Sequence, residues 1–315
     1  MKIVITGALG HIGSRLVREL PRAYPEAEIV MIDNLLTQRY CSLFRLPDRG
    51  DYRFIEMDVA DNDLRPIVEG ADVVIHLAAI TDAASSFRNK EQVEELNYGA
   101  TAHVAGACKE ESCPMVFVSS TSVYGTQGEV VDEDCSLEEL KPQSPYAETK
   151  LREENLLQIL GNSGVLRFVI CRFGTICGVS PGMRFHTAVN KFCWQAVMGQ
   201  PITVWRTALH QKRPYLVLGD AVEAFNFIIK HDLFDQRVYN VLTENLTVSS
   251  IIQFIEGYIP QLDIKYVDTE VMNQLSYEVS NLRFKKLGFE FKGSVEKSIG
   301  ETIELLTIAG HGREL

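Results

Sequence analysis

A glycine-rich turn near the start of the chain constrains its fold more than any other feature. Gly7, Gly10 and Gly13 follow the short β-branched run Lys2–Thr6, and residues 14–20 then have the apolar spacing of a helix. In such a strand-to-helix turn the first glycine permits the tight bend, the second lets backbone approach a pyrophosphate, and the third lets the helix pack closely. The pattern predicts the first half of a βαβ unit that binds a dinucleotide at the helix N-terminus.

Further apolar runs follow this unit, with helical or loop segments between most of them. They cover residues 29–32, 52–57, 73–77, 115–118 and 168–172. Such alternation predicts a parallel sheet covered by helices on both faces. We therefore expect an α/β fold: a Rossmann-type doubly wound parallel sheet with a smaller C-terminal α/β substrate lobe.

The pattern becomes irregular beyond about residue 173. We expect helices at 187–198, at 220–230 with Asp220 as the cap, at 248–258 begun by Thr247, and near 295–308. Residues 1–172 would form the NAD-binding domain, with 214–240 packing back on it. Residues 173–213 and 241–315 would form the substrate-binding lobe.

Composition excludes several classes of function. The 315 residues carry a formal net charge of −11 and no long basic run, which argues against nucleic acid and anionic membrane as partners. The N-terminal residues lead directly into a strand without a secretory signal pattern, and no apolar stretch approaches the roughly 20 residues needed to cross a bilayer. We expect a cytoplasmic protein. Its seven cysteines lack a Cys-x-x-Cys pair, so we expect reduced thiols, mostly buried, and no metal site.

Asp33 adds specificity to the glycine turn. It ends the second predicted strand twenty residues after Gly13, where a carboxylate can bind an adenosine ribose and repel a 2′-phosphate. No basic residue lies between Asp33 and Arg39, so NAD is favoured over NADP. His11, inside the turn, is expected to pack or cap there rather than to ligate a metal.

A second motif predicts a proton-transfer site. Tyr146 and Lys150 are four residues apart at the start of a predicted helix, so they share one helical face. A neighbouring ammonium favours the ionised form of a phenol, which has an ordinary pKa of about 10, and such a phenol can act as a base. Ser119, Ser120 and Thr121 end a predicted strand one crossover upstream.

The order of these motifs resembles a known family. The glycine turn is followed by Asp58-Val59, by His76-Leu77-Ala78-Ala79, by Asn97, by the Ser119–Gly125 stretch and by the Tyr146/Lys150 pair. Over essentially the whole chain this order resembles the extended short-chain dehydrogenase/reductase family, and specifically its NAD-dependent nucleotide-sugar epimerase and dehydratase branch, with UDP-glucose 4-epimerase-like members.

The resemblance implies a role for each matching residue. It implies that Ser120, Tyr146 and Lys150 are catalytic. It implies that Ser120, Thr121, Thr175, Arg184, Asn190 and Arg213 contact a nucleotide-diphosphate sugar. Cofactor contacts are implied for Gly7, Gly10, His11, Ile12, Gly13, Asp33, Asn34, Asp58, Val59, Leu77, Ala78, Ala79, Asn97, Tyr146, Lys150 and Phe173.

The resemblance also ranks the reactions that such a site performs. The family's dehydratases carry Thr-Asp-Glu where this chain has Ser120-Thr121-Ser122, which disfavours dehydration. A sugar 4-epimerase acting through a 4-keto intermediate is the leading hypothesis. Net C4 oxidation or reduction is the alternative, and a non-catalytic NAD-binding scaffold is a remote one. The family also implies a homodimer and a role in carbohydrate biosynthesis.

The substrate lobe departs from the family pattern. Thr175 replaces an asparagine that commonly touches the substrate diphosphate, and Pro214 replaces the aspartate of an Arg-Asp-Tyr stretch. Gln274, Leu275 and Ser276 stand where an arginine is frequent. Arg213 keeps paired donors suited to phosphate oxygens, and Arg184 could add positive charge. These changes leave the nucleotide and the sugar open.

Overall fold

The computed structural model describes residues 1–81, 85–127, 130–162, 164, 166–268 and 276–308. The strands in these ranges are β1 Lys2–Thr6, β2 Glu28–Asp33, β3 Asp51–Glu56, β4 Val73–His76, β5 Met115–Ser120, β6 Val130–Val131, β7 Phe168–Phe173, β8 Thr175–Cys177, β9 Ile202–Trp205, β10 Lys212–Val217, β11 Val238–Val241, β12 Glu244–Thr247, β13 Ile264–Val267 and β14 Glu278–Val279. The helices are α1 His11–Ala23, α2 Arg65–Val68, α3 Lys90–Glu110, α4 Pro145–Asn162, α5 Ala188–Val197, α6 Leu218–Lys230, α7 Val248–Tyr258, α8 Leu282–Lys286 and α9 Val295–Thr307.

Seven strands form the central sheet, in the order β3-β2-β1-β4-β5-β7-β11, and every neighbouring pair is parallel. Strand order reverses between β1 and β4, which places a crevice beyond the carboxyl ends of these two strands. The predicted Rossmann-type doubly wound sheet is confirmed.

Alternate side chains of each strand point to opposite faces of the sheet. Ile3 and Ile5 of β1 therefore join the core layer that contains α1 and α6, whereas Val4 joins the layer that contains α2, α3 and α4. Both faces are covered, so the strands are apolar runs rather than alternating ones. Residues 218–230 pack against α1, and β11 extends the sheet.

A smaller set of elements lies C-terminal to β7. Strand β10 pairs in parallel with β8 and antiparallel with β12, and β9 pairs with β13. Helices α5, α7 and α9 share a separate apolar core with these strands. This core supports the segment that approaches the glycine turn, described below.

Two helix starts test the capping predictions. Thr247 begins α7 as predicted, because its hydroxyl accepts a hydrogen bond from the backbone N–H of Ser250 at 3.1 Å. Asp220 is not a cap: α6 begins two residues earlier, after Val217. The Asp220 carboxylate instead accepts backbone N–H groups of residues 292 and 293 and the Thr243 hydroxyl, and so ties α6 to the C-terminal segment.

All seven cysteines have free thiols, and five of them are buried. Cys41 is exposed and Cys135 is half-buried. The expectation of reduced, mostly buried cysteines agrees with this arrangement.

Candidate active site

The glycine turn lies against the end of β4 so closely that side chains are excluded. Gly7 has φ +66°, and a Cβ there would lie 2.6 Å from the backbone nitrogen of Ala78. A Cβ on Gly13 would lie 2.6 Å from the carbonyl oxygen of Gly7, inside its own turn. The N–H of Ser14 donates to the carbonyl of Gly10 at 2.9 Å, which starts α1 directly after the turn. The earlier N–H groups of the helix are thus left at its positive end for an anion.

Asp33 lies beside this turn, at the carboxyl end of β2. One carboxylate oxygen accepts the N–H of Leu9, and the other accepts the N–H of Leu35, both at 3.0 Å. Each carboxylate oxygen has two lone pairs, so both keep capacity for ribose hydroxyls. Asn34 donates to the carboxylate of Asp58 at 2.7 Å, which joins the ends of β2 and β3. These residues fit a bound adenosine dinucleotide, with Asp33 and Asn34 at its ribose and Asp58 and Val59 beside its base.

Arg39 was missed as part of this site. Its half-buried guanidinium interacts electrostatically with Asp33, and its Nη1 atom lies 3.9 Å from where a Cβ on Gly10 would be. Six residues separate Arg39 from Asp33 in the sequence, and nothing in that separation indicates the contact. The loop after β2 folds back and brings one positive charge to the dinucleotide turn.

His11 packs, as the sequence predicts, and its partner is the substrate lobe. Its Nε2 atom lies 2.7 Å from the carbonyl oxygen of Gly178, and the Ser180 hydroxyl donates to the carbonyl of His11 at 2.8 Å. The N–H of Gly182 donates to the hydroxyl of Ser14 at 2.9 Å. Burial lowers the pKa of His11 to about 4, so the ring is neutral at neutral pH. The imidazole faces the lobe, whereas Ile12 is half-buried against the core of α1 and α6.

The loop after β4 is held in place by backbone contacts of Asn97. The Asn97 side chain accepts the N–H of Ile80 at 2.7 Å and donates to the carbonyl of Ile80 at 2.9 Å. The N–H groups of Leu77 and Ala78 both lie 3.3 Å from the Thr6 hydroxyl. Asn97 is itself buried and holds the backbone of Ile80, whereas Thr6 holds that of Leu77 and Ala78.

Three predicted catalytic residues are brought together at the carboxyl end of β5. Ser120 is the last residue of that strand, and its hydroxyl oxygen accepts the N–H of Ser122 at 3.2 Å and the Ser122 hydroxyl at 2.8 Å. The Ser120 side chain also acts to lower the pKa of Tyr146, which lies in the first turn of α4. Lys150 follows one turn later on the same face.

Lys150 is buried beside a carboxylate that the sequence motif does not include. Its Nζ atom lies 3.2 Å from the Oε2 atom of Glu153, and the two side chains are 3% and 1% exposed. The ammonium also lies 4.6 Å from the ring centroid of Phe117 on β5. An ion pair removed from water in this way has a defined geometry, because neither group can turn to solvent.

The pKa of Tyr146 is raised above its ordinary value. Burial is the largest cause, and the charge of Glu153 adds to it, whereas Lys150, Arg184 and the hydrogen bond to Ser120 act in the opposite direction. Lys150 does act to lower the pKa of the phenol, as expected from the sequence. In the chain alone that effect is outweighed by burial.

A second ion pair anchors α4 to the sheet. The guanidinium of Arg172 donates to both carboxylate oxygens of Glu154, with Nη2–Oε2 at 2.7 Å and Nε–Oε1 at 3.0 Å. Ser119 donates to the same carboxylate at 2.5 Å. Next along β7, the Phe173 ring packs 5.5 Å from Phe225, so its side chain belongs to the core. These contacts fix the helix that carries Tyr146 relative to β5.

The predicted substrate residues are less closely grouped. The buried Thr121 hydroxyl donates to the carbonyl of Phe173 at 3.2 Å, so this donor serves the fold rather than a ligand. Asn190 is fully buried on α5 and donates to the carbonyl of Arg184 at 2.9 Å. The charge of Arg184 acts to lower the pKa of both Tyr146 and His11.

The other substrate candidates lie on β8 and β10. Thr175 pairs with Tyr215 in the β8–β10 ladder, and Arg213 precedes that tyrosine on β10. Burial raises the pKa of Tyr277, and Thr121 and the charge of Arg213 act in the opposite direction. Gln274 and Leu275 lie outside the described residues.

Two further findings concern the parts of the chain that the structure describes. They contain no group of three or more His, Cys, Asp or Glu side chains arranged to hold a metal ion. None of their helices is long and apolar enough to cross a membrane.

Comparison with known sequences identifies the family. The family model described as the NAD dependent epimerase/dehydratase family matches residues 3–241. The chain belongs to this family. Its members are NAD-dependent enzymes, and the matched range contains the glycine turn, Asp33 and the Ser120, Tyr146 and Lys150 group. The resemblance to the extended short-chain dehydrogenase/reductase branch and the prediction of NAD are thereby confirmed.

Two relatives with different names illustrate the range of the family. A protein of Bacillus subtilis named as an uncharacterized UDP-glucose epimerase, YtcB, is 32% identical over 266 residues, covering 81% of each chain. A trifunctional UDP-glucose 4,6-dehydratase/UDP-4-keto-6-deoxy-D-glucose 3,5-epimerase/UDP-4-keto-L-rhamnose-reductase of Arabidopsis thaliana is 30% identical over 323 residues, covering 97% of this chain. The chain spans 47% of that second protein.

The fold is also that of solved structures. UDP-glucuronic acid 4-epimerase from Bacillus cereus, in complex with UDP-glucuronic acid and NAD, superposes with a TM-score of 0.87 at 23% identity. The superposition covers 98% of this chain and 100% of that one. The likeness confirms the arrangement of the sheet and the lobe.

Proposed function

We propose that the protein is an NAD-dependent 4-epimerase of nucleotide-diphosphate hexoses. The observation that carries this proposal is the packing of helix α4, which presents Tyr146 and Lys150 on one face, against strand β5, which ends at Ser120. This group lies at the same edge of the sheet as the glycine turn and Asp33, because the carboxyl ends of parallel strands meet there. A sugar hydroxyl at Tyr146 would therefore be next to the nicotinamide end of a dinucleotide held by that turn.

Bound NAD supplies a hydride acceptor, and later a hydride donor, at C4 of the sugar. Tyr146 takes the proton of the C4 hydroxyl as that carbon is oxidised, and Ser120 hydrogen-bonds the same oxygen. Lys150 would hold the hydroxyls of the nicotinamide ribose and stabilise the phenolate of Tyr146. After the 4-keto sugar rotates so that its opposite face is presented, Tyr146 returns the proton to the C4 oxygen. The opposite configuration at C4 results without net oxidation.

The nucleotide diphosphate would bind between the two lobes. Arg184 has its charge near Tyr146 and the glycine turn, and Asn190 fixes the backbone of Arg184 from α5. The Nε atom of Arg213 is buried and has no hydrogen-bond partner among the described residues. In a chain of net charge −11, two arginines facing this crevice supply the local positive charge that a diphosphate needs. UDP-hexoses are the first substrates to test, since relatives are named for them.

Dehydration is disfavoured by the residues beside Ser120. A 4,6-dehydratase needs an acid and a base to eliminate water across C5 and C6, and residues 119–124 carry no carboxylate. Ser122 bonds to Ser120, and Thr121 bonds to the Phe173 carbonyl, so neither hydroxyl is placed as an independent acid. Epimerisation needs only the proton transfer that Tyr146 and Ser120 supply.

Incubation with UDP-, GDP-, dTDP- and CDP-hexoses tests the proposal. We expect at least one of them to yield its C4 epimer without a lasting change in nicotinamide absorbance. A stoichiometric absorbance change would instead establish net C4 oxidation or reduction. The absence of any new sugar and of any cofactor reduction with all four nucleotides would refute both reactions.

The setting of the enzyme forms part of the same proposal. We infer a cytoplasmic homodimer that takes part in carbohydrate biosynthesis. Helices α3 and α4 pack side by side, and Ile159 on α4 is 68% exposed, as a helix pair that meets its copy in a dimer requires. Sedimentation velocity measures the mass in solution, and a monomer at micromolar concentration would contradict this assignment.

A further inference from the structure

Glu153 carries no role in the family motif, yet it has the most constrained environment of any charged residue near the base. Its side chain is 1% exposed and lies against Lys150, with Nζ–Oε2 at 3.2 Å. Its other oxygen accepts the hydroxyl of Thr101, on α3, at 2.5 Å. A buried carboxylate costs several kcal/mol unless it is paired and hydrogen-bonded. Here Oε1 is hydrogen-bonded, whereas Oε2 is ion-paired with the predicted catalytic lysine and accepts no hydrogen bond from the described residues.

The hydrogen bonds behind Glu153 form one directed chain. The Thr6 hydroxyl accepts the N–H groups of Leu77 and Ala78 and lies 2.7 Å from Nδ1 of His76. Nε2 of His76 lies 3.1 Å from the Thr101 hydroxyl, which donates to Glu153.

Counting protons settles the direction of each bond. Thr101 has one hydroxyl proton and donates it in the hydrogen bond to Glu153. The Thr101 oxygen must therefore accept the hydrogen bond from Nε2–H of His76. Nδ1 of His76 is then an acceptor for the Thr6 hydroxyl proton. The histidine is neutral in this arrangement, and burial followed by the charge of Lys150 lowers its pKa to about 3. Every donor in the chain then points toward the Glu153 side chain.

We propose that Glu153 is a positioning residue that holds the Lys150 ammonium beside Tyr146 and balances its charge in the free enzyme. The effect of Glu153 on turnover rests on the proposed function. Its structural consequence is wider: the chain from Thr6 to Glu153 connects the backbone of the cofactor loop after β4 with the lysine of the base.

The sign of the electrostatic effect follows from the charge that Glu153 carries. Removing a negative charge lowers the pKa of every titratable group near it, because negative forms become easier to make and positive forms harder. The charged groups that face Tyr146 are Lys150 and Glu153 from α4 and Arg184 from the lobe, and Lys150 also faces His76 from β4. In Glu153→Gln the phenol of Tyr146 should therefore titrate at lower pH.

Two measurements on Glu153→Gln test the proposal. The first is the tyrosinate absorbance of the intact protein as a function of pH, in which the Tyr146 step is the one missing from Tyr146→Phe. We expect this step to move to lower pH by about one unit, the low end of the effect of a nearby unit charge. The second is the pH profile of kcat, in which the limb that reports Tyr146 should move in the same direction.

Matched variants separate charge from structure. Glu148→Gln removes the same charge from an exposed site on α4, where the carboxylate pairs with Lys90, and should leave the Tyr146 step in place. Glu153→Asp keeps the charge but shortens its reach, so the step should stay near its wild-type pH while kcat falls. A wild-type kcat in Glu153→Asp would overturn the positioning role. This test still applies if Glu153→Gln does not fold.

An unchanged tyrosinate step in folded Glu153→Gln would overturn the proposal directly. The same is true of an equal shift in Glu148→Gln or in Glu153→Asp. Because the absorbance titration needs no substrate, it decides about Glu153 even if every nucleotide sugar fails as a substrate. Failure of every nucleotide sugar as a substrate would refute the proposed function but not the role of Glu153.

Discussion

The ion pair between Arg172 and Glu154 offers the clearest test of the energetics of this fold. Its side chains are 5% and 4% exposed, and two hydrogen bonds of 2.7 and 3.0 Å join them. Ser119 donates to the same carboxylate, and the guanidinium lies 4.8 Å from the ring centroid of Tyr124. Neutralising Glu154 leaves a guanidinium without a counter-charge in a place that water does not reach.

The magnitude follows from the cost of an uncompensated buried charge. We expect Glu154→Gln to lower the free energy of unfolding by about 3–5 kcal/mol, against a total of about 5–15 kcal/mol for a typical protein. Arg172→Met should cost a similar amount, since the carboxylate is then the unpaired group. In the double variant the second change removes a charge whose partner is already gone. The loss should therefore be smaller than the sum by about 2 kcal/mol.

Urea unfolding followed by circular dichroism measures all four free energies. The exposed pair Arg167 and Asp232 is the control, because ion pairs in solvent contribute only about 0–1 kcal/mol. Single-variant losses that add within about 0.5 kcal/mol in the double variant would refute the reasoning. So would losses at the buried pair no larger than those of the control.

Three further outcomes are expected. Gly7→Ala should cost at least about 1 kcal/mol and abolish NAD binding in calorimetry, because φ is +66° and the new Cβ would meet the Ala78 nitrogen; wild-type affinity would contradict this. Tyr146→Phe should lower kcat by about 100-fold or more with an unchanged NAD dissociation constant, and turnover near that of the wild type would exclude the phenol as the base. His11 has a pKa of about 4 in the fold and 6.5 as its ordinary value, so the unfolded chain takes up the proton first as pH falls. Stability should decline from pH 6.5 to pH 4, by about 3 kcal/mol in total for a shift of about 2.5 units, and His11→Gln should show a flatter decline in urea midpoints; parallel declines would rule out this source.

The parts of the site that could be predicted from the sequence depend on short separations. Gly7 to Gly13 must form a turn between a strand and a helix, and Tyr146 and Lys150 must share a helical face, whatever the rest of the chain does. Parallel strand order then brings Asp33 and Ser120 to the same edge of the sheet. Local chemistry and one topological rule thus predict the fold and most of the cofactor site.

The parts that could not be predicted depend on contacts between distant segments. Glu153 looks like one more acidic residue of a charged helix, and only its contact with Thr101 shows that it is buried. Asp220 has the composition of a cap, but its partners come from residues 292 and 293. Arg39 reaches the glycine turn because its loop folds back. No spacing rule encodes these separations.

The segment from Gly178 to Gly182 has a consequence for protein engineering. It lies on the dinucleotide turn so closely that a Cβ on Gly182 would be 2.3 Å from the carbonyl oxygen of Leu9. Together with the hydrogen bonds to His11 and Ser14, this contact makes the lobe part of the wall that supports the turn. A chimera that exchanges the lobe for that of a relative must carry this segment and its partner residues on α1 together. An exchange at residue 173 that ignores them would disturb the glycine turn itself.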